Sequence, residues 1–114
     1  MPPKRNPLNL NPLQLKTLTL LQELARVAGK PAAEDDAGGL AISELPFPHG
    51  DHFHLGEAVV AARDATGLRN PAVWAALERK GLIRPKLPEA VILTALGQEY
   101  DTGLREAILQ RAGH

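Results

Sequence analysis

Two of the three Asn-Pro pairs, those at Asn11 and Asn70, constrain the fold of this chain more than any other feature, because each of the two precedes a run of apolar residues at helical spacing. Asparagine accepts hydrogen bonds from the free N–H groups at a helix start, and proline fits the first helical position because its missing N–H has no partner there. At Asn11 a glutamine follows three residues later, which is the spacing of a capping box. The two pairs therefore predict helices that begin at Pro12 and at Pro71.

The segment after the first helix is predicted to contain a loop and a hairpin. Gly29 and Pro31 end the helix, and residues 30–39 form an acidic, flexible loop. Two short apolar runs within residues 40–55 are separated by prolines, a histidine and a glycine, which is typical of two strands joined by a turn. We therefore expect a β-hairpin over residues 40–55.

The middle of the chain has the spacing of a helix-turn-helix motif. Alanine and valine recur at helical spacing over residues 56–66, and Gly67 interrupts that pattern. The helix that begins at Pro71 is predicted to end at Lys80. A turn of about four residues that contains Gly67 would then join the two helices, as in a helix-turn-helix motif.

The C-terminal part of the sequence is predicted to contain a second hairpin and a final helix. Strand-like runs at residues 82–84 and 90–93 flank a turn that contains two prolines. Thr94 can cap a last helix whose apolar stripe extends to Ile108. The expected fold is α+β, with three to four helices, a two-stranded hairpin near the end and an additional β-hairpin after the first helix.

A resemblance to a known family follows from two stretches of sequence. Residues 77–83, Leu-Glu-Arg-Lys-Gly-Leu-Ile, followed by Leu-Thr at residues 93–94, resemble the end of the recognition helix, the wing and the start of the last helix in winged helix-turn-helix proteins. Residues 62–68 resemble the helix and turn that precede the recognition helix. The similarity is to the MarR-type transcription regulators in particular, and it spans about residues 56–100.

The resemblance implies a winged helix-turn-helix fold and DNA binding. Gly67 and Gly81 lie closer together than in the family, which shortens the recognition helix by nearly one turn. Residues 1–9, which are rich in proline, are predicted to be a mobile arm, and residues 10–114 a single winged-helix domain.

The formal net charge of the chain is zero at pH 7, but the charges occur in blocks. Residues 31–62 hold six acidic residues and no lysine or arginine, whereas residues 63–86 hold six basic residues against two acidic ones. A basic block on the predicted helix-turn-helix and hairpin is the charge pattern expected of a phosphate binder, although such blocks also occur as ordinary solvated surface. We therefore expect a DNA-binding transcription regulator that contacts duplex DNA mainly through phosphates.

The candidate DNA contacts are polar or basic residues of the reading helix and the hairpin. Arg69 is the candidate base contact, because Asn70 is needed for the helix cap and the exposed helix positions 72 and 75 are alanines. Lys4 and Arg5 on the arm could add contacts to the minor groove or to the DNA backbone. Alternatively, the basic residues at the end of the helix only complement its dipole. The candidate set is Arg69, Asn70, Arg79, Lys80, Arg84 and Lys86.

A second hypothesis is a winged-helix module that binds a protein instead of DNA. Trp74 and Leu87 are its candidate contacts, the first as the only tryptophan and the second as an apolar residue in the hairpin turn. Trp74 equally fits a partly buried core position. The leucine-rich first helix, together with the resemblance, also suggests a homodimer.

A third hypothesis is a metal-responsive domain built on three neighbouring histidines. His49, His52 and His54 lie within six residues, with Asp51 among them. On one strand, His52 and His54 would share a face, and imidazoles with a carboxylate can bind zinc tetrahedrally. The alternatives are a polar hairpin edge and a pH-sensitive surface. No metal or other cofactor is part of the main hypothesis.

Several classes of protein are not expected. The chain has no cysteine, which suits a reducing compartment, and no apolar run of bilayer-spanning length. It has no nucleophile elbow, phosphate loop or dinucleotide fingerprint. We therefore expect a cytoplasmic protein that is not an enzyme and has no membrane partner.

Overall fold

The computed structural model describes residues 6–32, 38–43, 51–86 and 90–111, and it has a mixed α+β fold. The helices are α1 (Pro12–Ala28), a 3-10 helix (Ala62–Arg69), α2 (Pro71–Arg79), α3 (Ala95–Glu99) and α4 (Arg105–Ile108). The strands are β1 (Lys30–Pro31), β2 (Leu40–Ile42), β3 (His52–Leu55), β4 (Ala58–Ala61), β5 (Ile83–Lys86), β6 (Ala90–Leu93) and β7 (Gln110–Arg111).

Helix α1 begins where the sequence predicts and forms the centre of the molecule. Asn11 accepts a hydrogen bond from the Gln14 amide, and the Gln14 side chain accepts one from the Asn11 amide, so the capping box is complete. The helix packs against the 3-10 helix, α2, α3 and strands of both sheets. Its leucines at positions 18, 20 and 21 are fully buried. The leucine content that suggested a homodimer is therefore accounted for by packing within one chain.

A four-stranded antiparallel sheet packs against α1, with the strand order β1-β2-β6-β5. The hairpin of β5 and β6 is confirmed, with Ile83 paired to Leu93 and Lys86 to Ala90. The acidic loop expected over residues 30–39 begins instead as strand β1, while residues 33–37 lie outside the described part of the chain. The two outer strands, β1 and β5, each contain a proline.

The prediction of a β-hairpin over residues 40–55 is wrong. Strand β2 pairs with β1 and β6, whereas β3 pairs with β4 in a second sheet of order β3-β4-β7. Residues 56–61, expected to be helical, are the turn and second strand of that hairpin. Gly56, with φ +61°, opens the two-residue loop, where glycine adopts the required backbone conformation without steric cost.

The first helix of the predicted helix-turn-helix is a 3-10 helix, and Gly67 does not lie in a turn. Gly67 is buried within the 3-10 helix, and a Cβ atom there would lie 1.9 Å from the Thr17 hydroxyl oxygen on α1. The glycine is needed for close approach of two helices. Asn70 alone joins the 3-10 helix to α2, which begins at Pro71 as predicted and ends at Arg79, one residue before the predicted end at Lys80.

The predicted final helix is interrupted. Thr94 caps α3 by accepting a hydrogen bond from the Gly97 amide, as expected. At Tyr100 the backbone becomes extended, and α4 starts only at Arg105. The apolar stripe predicted for this helix includes Leu96 as well as Ile108, but Leu96 is 49% exposed.

The N-terminal segment of residues 6–10 is hydrogen-bonded to the rest of the protein. The Asn6 side chain bonds to both backbone groups of Leu10 and accepts from the Tyr100 hydroxyl. The same hydroxyl accepts from the Leu8 amide, and Lys80 Nζ donates to the Leu8 carbonyl at 2.6 Å. The prediction of a mobile arm over residues 1–9 does not anticipate these contacts, and residues 1–5 lie outside the described residues.

Within the described ranges, no helix combines the length and the apolar character needed to cross a membrane.

Candidate nucleic-acid interface

The exposed side of α2 is the candidate reading surface. The helix has nine residues, which corresponds to a length of about 14 Å. Val73, Ala76 and Leu77 are buried, whereas the alanines at 72 and 75 and the residues Glu78 and Arg79 are exposed. Of the exposed α2 side chains, Arg79 is the one that can donate a hydrogen bond to DNA.

Asn70 and Trp74 have local roles at the start of this helix. The Asn70 side chain accepts a hydrogen bond from the Ala72 amide at 2.9 Å, so it caps α2 as predicted. Trp74 is partly buried against the core, and its indole N–H donates to the Leu68 carbonyl at 3.1 Å. Trp74 thus fixes the 3-10 helix to α2.

Three exposed arginines lie on elements that contact one another. Arg69 ends the 3-10 helix, Arg79 ends α2, and Arg84 lies on β5. Helix α2 packs against both the 3-10 helix and β5. Arg69 and Arg84 also make interactions within the chain. The fold therefore places the three guanidinium groups at both ends of α2 and on the adjacent hairpin.

Two further candidate DNA contacts, Lys80 and Lys86, are lysines. Lys80 is half-buried, and one of its N–H groups is used by the Leu8 carbonyl. The backbone of Lys86 belongs to β5, but its side chain lies outside the described part of the structure, as do Leu87, Lys4 and Arg5.

The two histidines expected to share a face of one strand, His52 and His54, are neighbours on β3. His52 and His54 are exposed on β3, with ring centroids 5.4 Å apart in an edge-to-face arrangement. His52 Nδ1 lies 3.1 Å from an Asp51 carboxylate oxygen, and this hydrogen bond lowers the pKa of Asp51. His49 lies outside the described residues, and among those described no three ligand-type side chains are placed to hold a metal ion.

Sequence reasoning missed a buried carboxylate at a different surface. Glu23 on α1 has a side chain only 3% exposed, and it accepts hydrogen bonds from Arg26 and Arg105. The Arg105 Nη1 atom lies 2.6 Å from a Glu23 oxygen, and the Arg26 Nε atom lies 3.1 Å from both Glu23 oxygens. The spacing of Glu23 and Arg26 is a visible helical pair, but Arg105 comes from a distant part of the sequence.

No protein-family model, curated protein or solved structure matches this chain. The resemblance to MarR-type regulators stays a prediction from the sequence stretches at residues 62–68, 77–83 and 93–94.

Proposed function

We propose that this protein binds duplex DNA through a winged helix-turn-helix domain, mainly by contacts to phosphates. The observation that carries the proposal is the order of elements: α1, β2, the 3-10 helix with α2, and then the β5–β6 hairpin, with β6 paired between β2 and β5. In a winged helix-turn-helix domain a first helix, a strand, a pair of helices and a hairpin follow in this order, with the second helix of the pair as the reading helix and the hairpin as the wing. Here β1 and the β3–β4 hairpin are additional elements before the pair, and Asn70 alone joins its two helices in place of a turn of about three or four residues.

The charged groups on these elements support phosphate contacts more than base recognition. Arg69, Arg79 and Arg84 are exposed, and an arginine can bind a phosphate through two parallel hydrogen bonds. The alanines exposed on α2 offer no hydrogen-bonding group to a base edge, and Asn70 is occupied by its cap. Binding should therefore be weakly sequence-specific, with a Kd of roughly 10⁻⁴–10⁻⁶ M at physiological salt.

The test is a fluorescence-anisotropy titration of a short labelled duplex with the wild-type chain and with the triple variant Arg69→Gln, Arg79→Gln, Arg84→Gln. Each lost phosphate contact should reduce the slope of log K against log salt concentration by about 0.9, so the triple variant should lose a slope of about 2–3. Circular dichroism would establish that the variant is folded.

The matched control is Arg63→Gln, which removes an exposed positive charge at the far end of the 3-10 helix and should leave the slope nearly unchanged. Equal affinity of the wild type and the triple variant, or no DNA binding by the wild type at about 50 mM salt, would contradict the proposal.

A further inference from the structure

A cleft of about 410 Å³ lies between the C-terminal half of α1, the β3–β4 turn and α4, and its lining does not include the proposed DNA contacts Arg69, Arg79 and Arg84. This volume falls within the roughly 300–1,000 Å³ of typical small-molecule sites. The cleft combines charged side chains of both signs with two apolar residues, Ala58 and Leu109.

Two guanidinium groups are held at the cleft by one buried carboxylate. The Glu23 side chain is 3% exposed, whereas those of Arg26 and Arg105 are 59% and 60% exposed. A guanidinium has five N–H donors, and the hydrogen bonds to Glu23 use only some of them. Each arginine is therefore oriented by Glu23 while it keeps N–H donors for a group that enters the cleft.

Two more carboxylates, those of Glu57 and Glu106, line the same cleft and are exposed. With Glu23, they give the cleft three acidic groups against two basic ones. A purely anionic ligand would be repelled by this excess of negative charge, and a purely cationic ligand would leave the arginine donors unused. The charges therefore favour a ligand that carries both an anionic and a cationic group.

We propose that this cleft binds a small zwitterion, a free α-amino acid or a dipeptide with an apolar side chain. The ligand carboxylate accepts hydrogen bonds from Arg26 and Arg105. The ligand ammonium group contacts the carboxylates of Glu57 and Glu106, and its apolar side chain packs against Leu109. This site is separate from the proposed DNA surface and does not depend on DNA binding.

The test is a ¹H–¹⁵N NMR titration of the full chain with L-leucine and with glycyl-L-leucine at millimolar concentrations. We expect chemical-shift changes at residues 23–26, 57–58 and 105–109. N-acetyl-L-leucine lacks the ammonium group and L-leucinamide lacks the carboxylate, so each should bind about tenfold more weakly or worse than L-leucine. No shift with either probe, shifts confined to other residues, or equal affinity for all three leucine compounds would overturn the proposal.

Two variants and a control separate ligand contact from folding. Arg105→Gln removes a donor but also a partner of Glu23, whereas Glu106→Gln changes only an exposed carboxylate. Both should weaken L-leucine binding about tenfold, while Arg63→Gln, outside the cleft, should not change it. Unchanged binding in Glu106→Gln with the fold intact would contradict the ammonium contact.

Discussion

At the scale of single residues, Glu23 shows how an ionised group is kept inside a small protein. Burial alone would raise the pKa of this carboxyl, because the charged form loses its hydration. The hydrogen bond from Arg26 has the largest effect in the opposite direction, and the charges of Arg105 and Arg26 add to it. The pKa of Glu23 therefore lies below the ordinary value of a glutamate.

Replacement of Glu23 by glutamine tests the balance between the burial of this carboxylate and its pairing with arginines. Because pairing lowers the folded-state pKa, the stabilisation by Glu23 is complete above the unfolded-state pKa of about 4.3 and is lost as the pH falls through the lower folded-state value. We expect Glu23→Gln to reduce the free energy of unfolding by about 2 kcal/mol at neutral pH, since a hydrogen-bonded charge is removed.

The measurement is urea unfolding at a series of pH values. The difference between wild type and Glu23→Gln should shrink once the pH is below about 4.3. The exposed Glu106→Gln is the control and should change stability by less than about 0.5 kcal/mol. A difference between wild type and Glu23→Gln that is constant across this range would show that the charge of Glu23 does not contribute.

Residue roles could be predicted where the partner is close in sequence. The Asn70 cap bonds to an amide two residues away, and Asn11 and Gln14 are three residues apart, so local spacing was enough. The contact of Glu23 with Arg105 spans 82 residues, and sequence spacing carries no information about it.

At the scale of elements, the 3-10 helix is unusually long. Such helices rarely exceed three or four residues, because their hydrogen-bond geometry is poor, yet this one has eight. Two contacts support it: the Trp74 indole donates to the Leu68 carbonyl near its end, and Gly67 lies directly against Thr17 of α1. The Lys16–Asp64 ion pair, at 3.0 Å, also links the 3-10 helix to α1.

Substitution of Gly67 tests the contact between these helices. In Gly67→Ala the new methyl group would overlap the Thr17 hydroxyl, which is held by its hydrogen bond to the Leu13 carbonyl. We expect a loss of about 1–3 kcal/mol in the free energy of unfolding, as for overpacked cores. Thermal or urea denaturation measures it.

The cost of Gly67→Ala should be smaller in a Thr17→Ala background, because the overlapping oxygen is then absent. Thr66→Ala, at the neighbouring exposed position, should change stability by less than about 0.5 kcal/mol. If Gly67→Ala cost the same with and without Thr17, the close approach would not depend on that side chain.

The elements that the sequence predicted correctly are those whose first and last residues are marked by strong local sequence signals. Helices α1 and α2 and the β5–β6 hairpin are bounded by Asn-Pro pairs, glycines or prolines. Strand β4 was misassigned because short alanine- and valine-containing runs fit a helix as well as a strand. The Gly-Glu pair at residues 56–57, between two apolar runs, was the available hairpin signal, because glycine is favoured at the first position of such a loop.

At the scale of the whole molecule, Tyr100 connects the two ends of the described chain. Its hydroxyl bonds to Asn6 and to the Leu8 amide, more than 90 residues away in sequence, and Lys80 holds the Leu8 carbonyl. The N-terminal segment is thereby attached to the C-terminal part of the fold and to the end of α2.

Loss of this hydroxyl should loosen the N-terminal segment selectively. Tyr100→Phe removes two hydrogen bonds while it keeps the ring in the core, so we expect a loss of about 1–2 kcal/mol in stability. The Leu8 amide should exchange with solvent faster in hydrogen-exchange NMR, while the Gln14 amide, bonded to Asn11, serves as the internal control. Unchanged protection of the Leu8 amide would contradict this role for Tyr100.

The prolines in the outer strands of the four-stranded sheet oppose association between molecules in concentrated solution. Pro31 in β1 and Pro85 in β5 have no N–H to offer, so a strand of another molecule that approached either edge could not complete a ladder of backbone hydrogen bonds. The β5–β6 hairpin can thus stand at the molecular surface without templating polymerisation, and the sheet keeps its four strands.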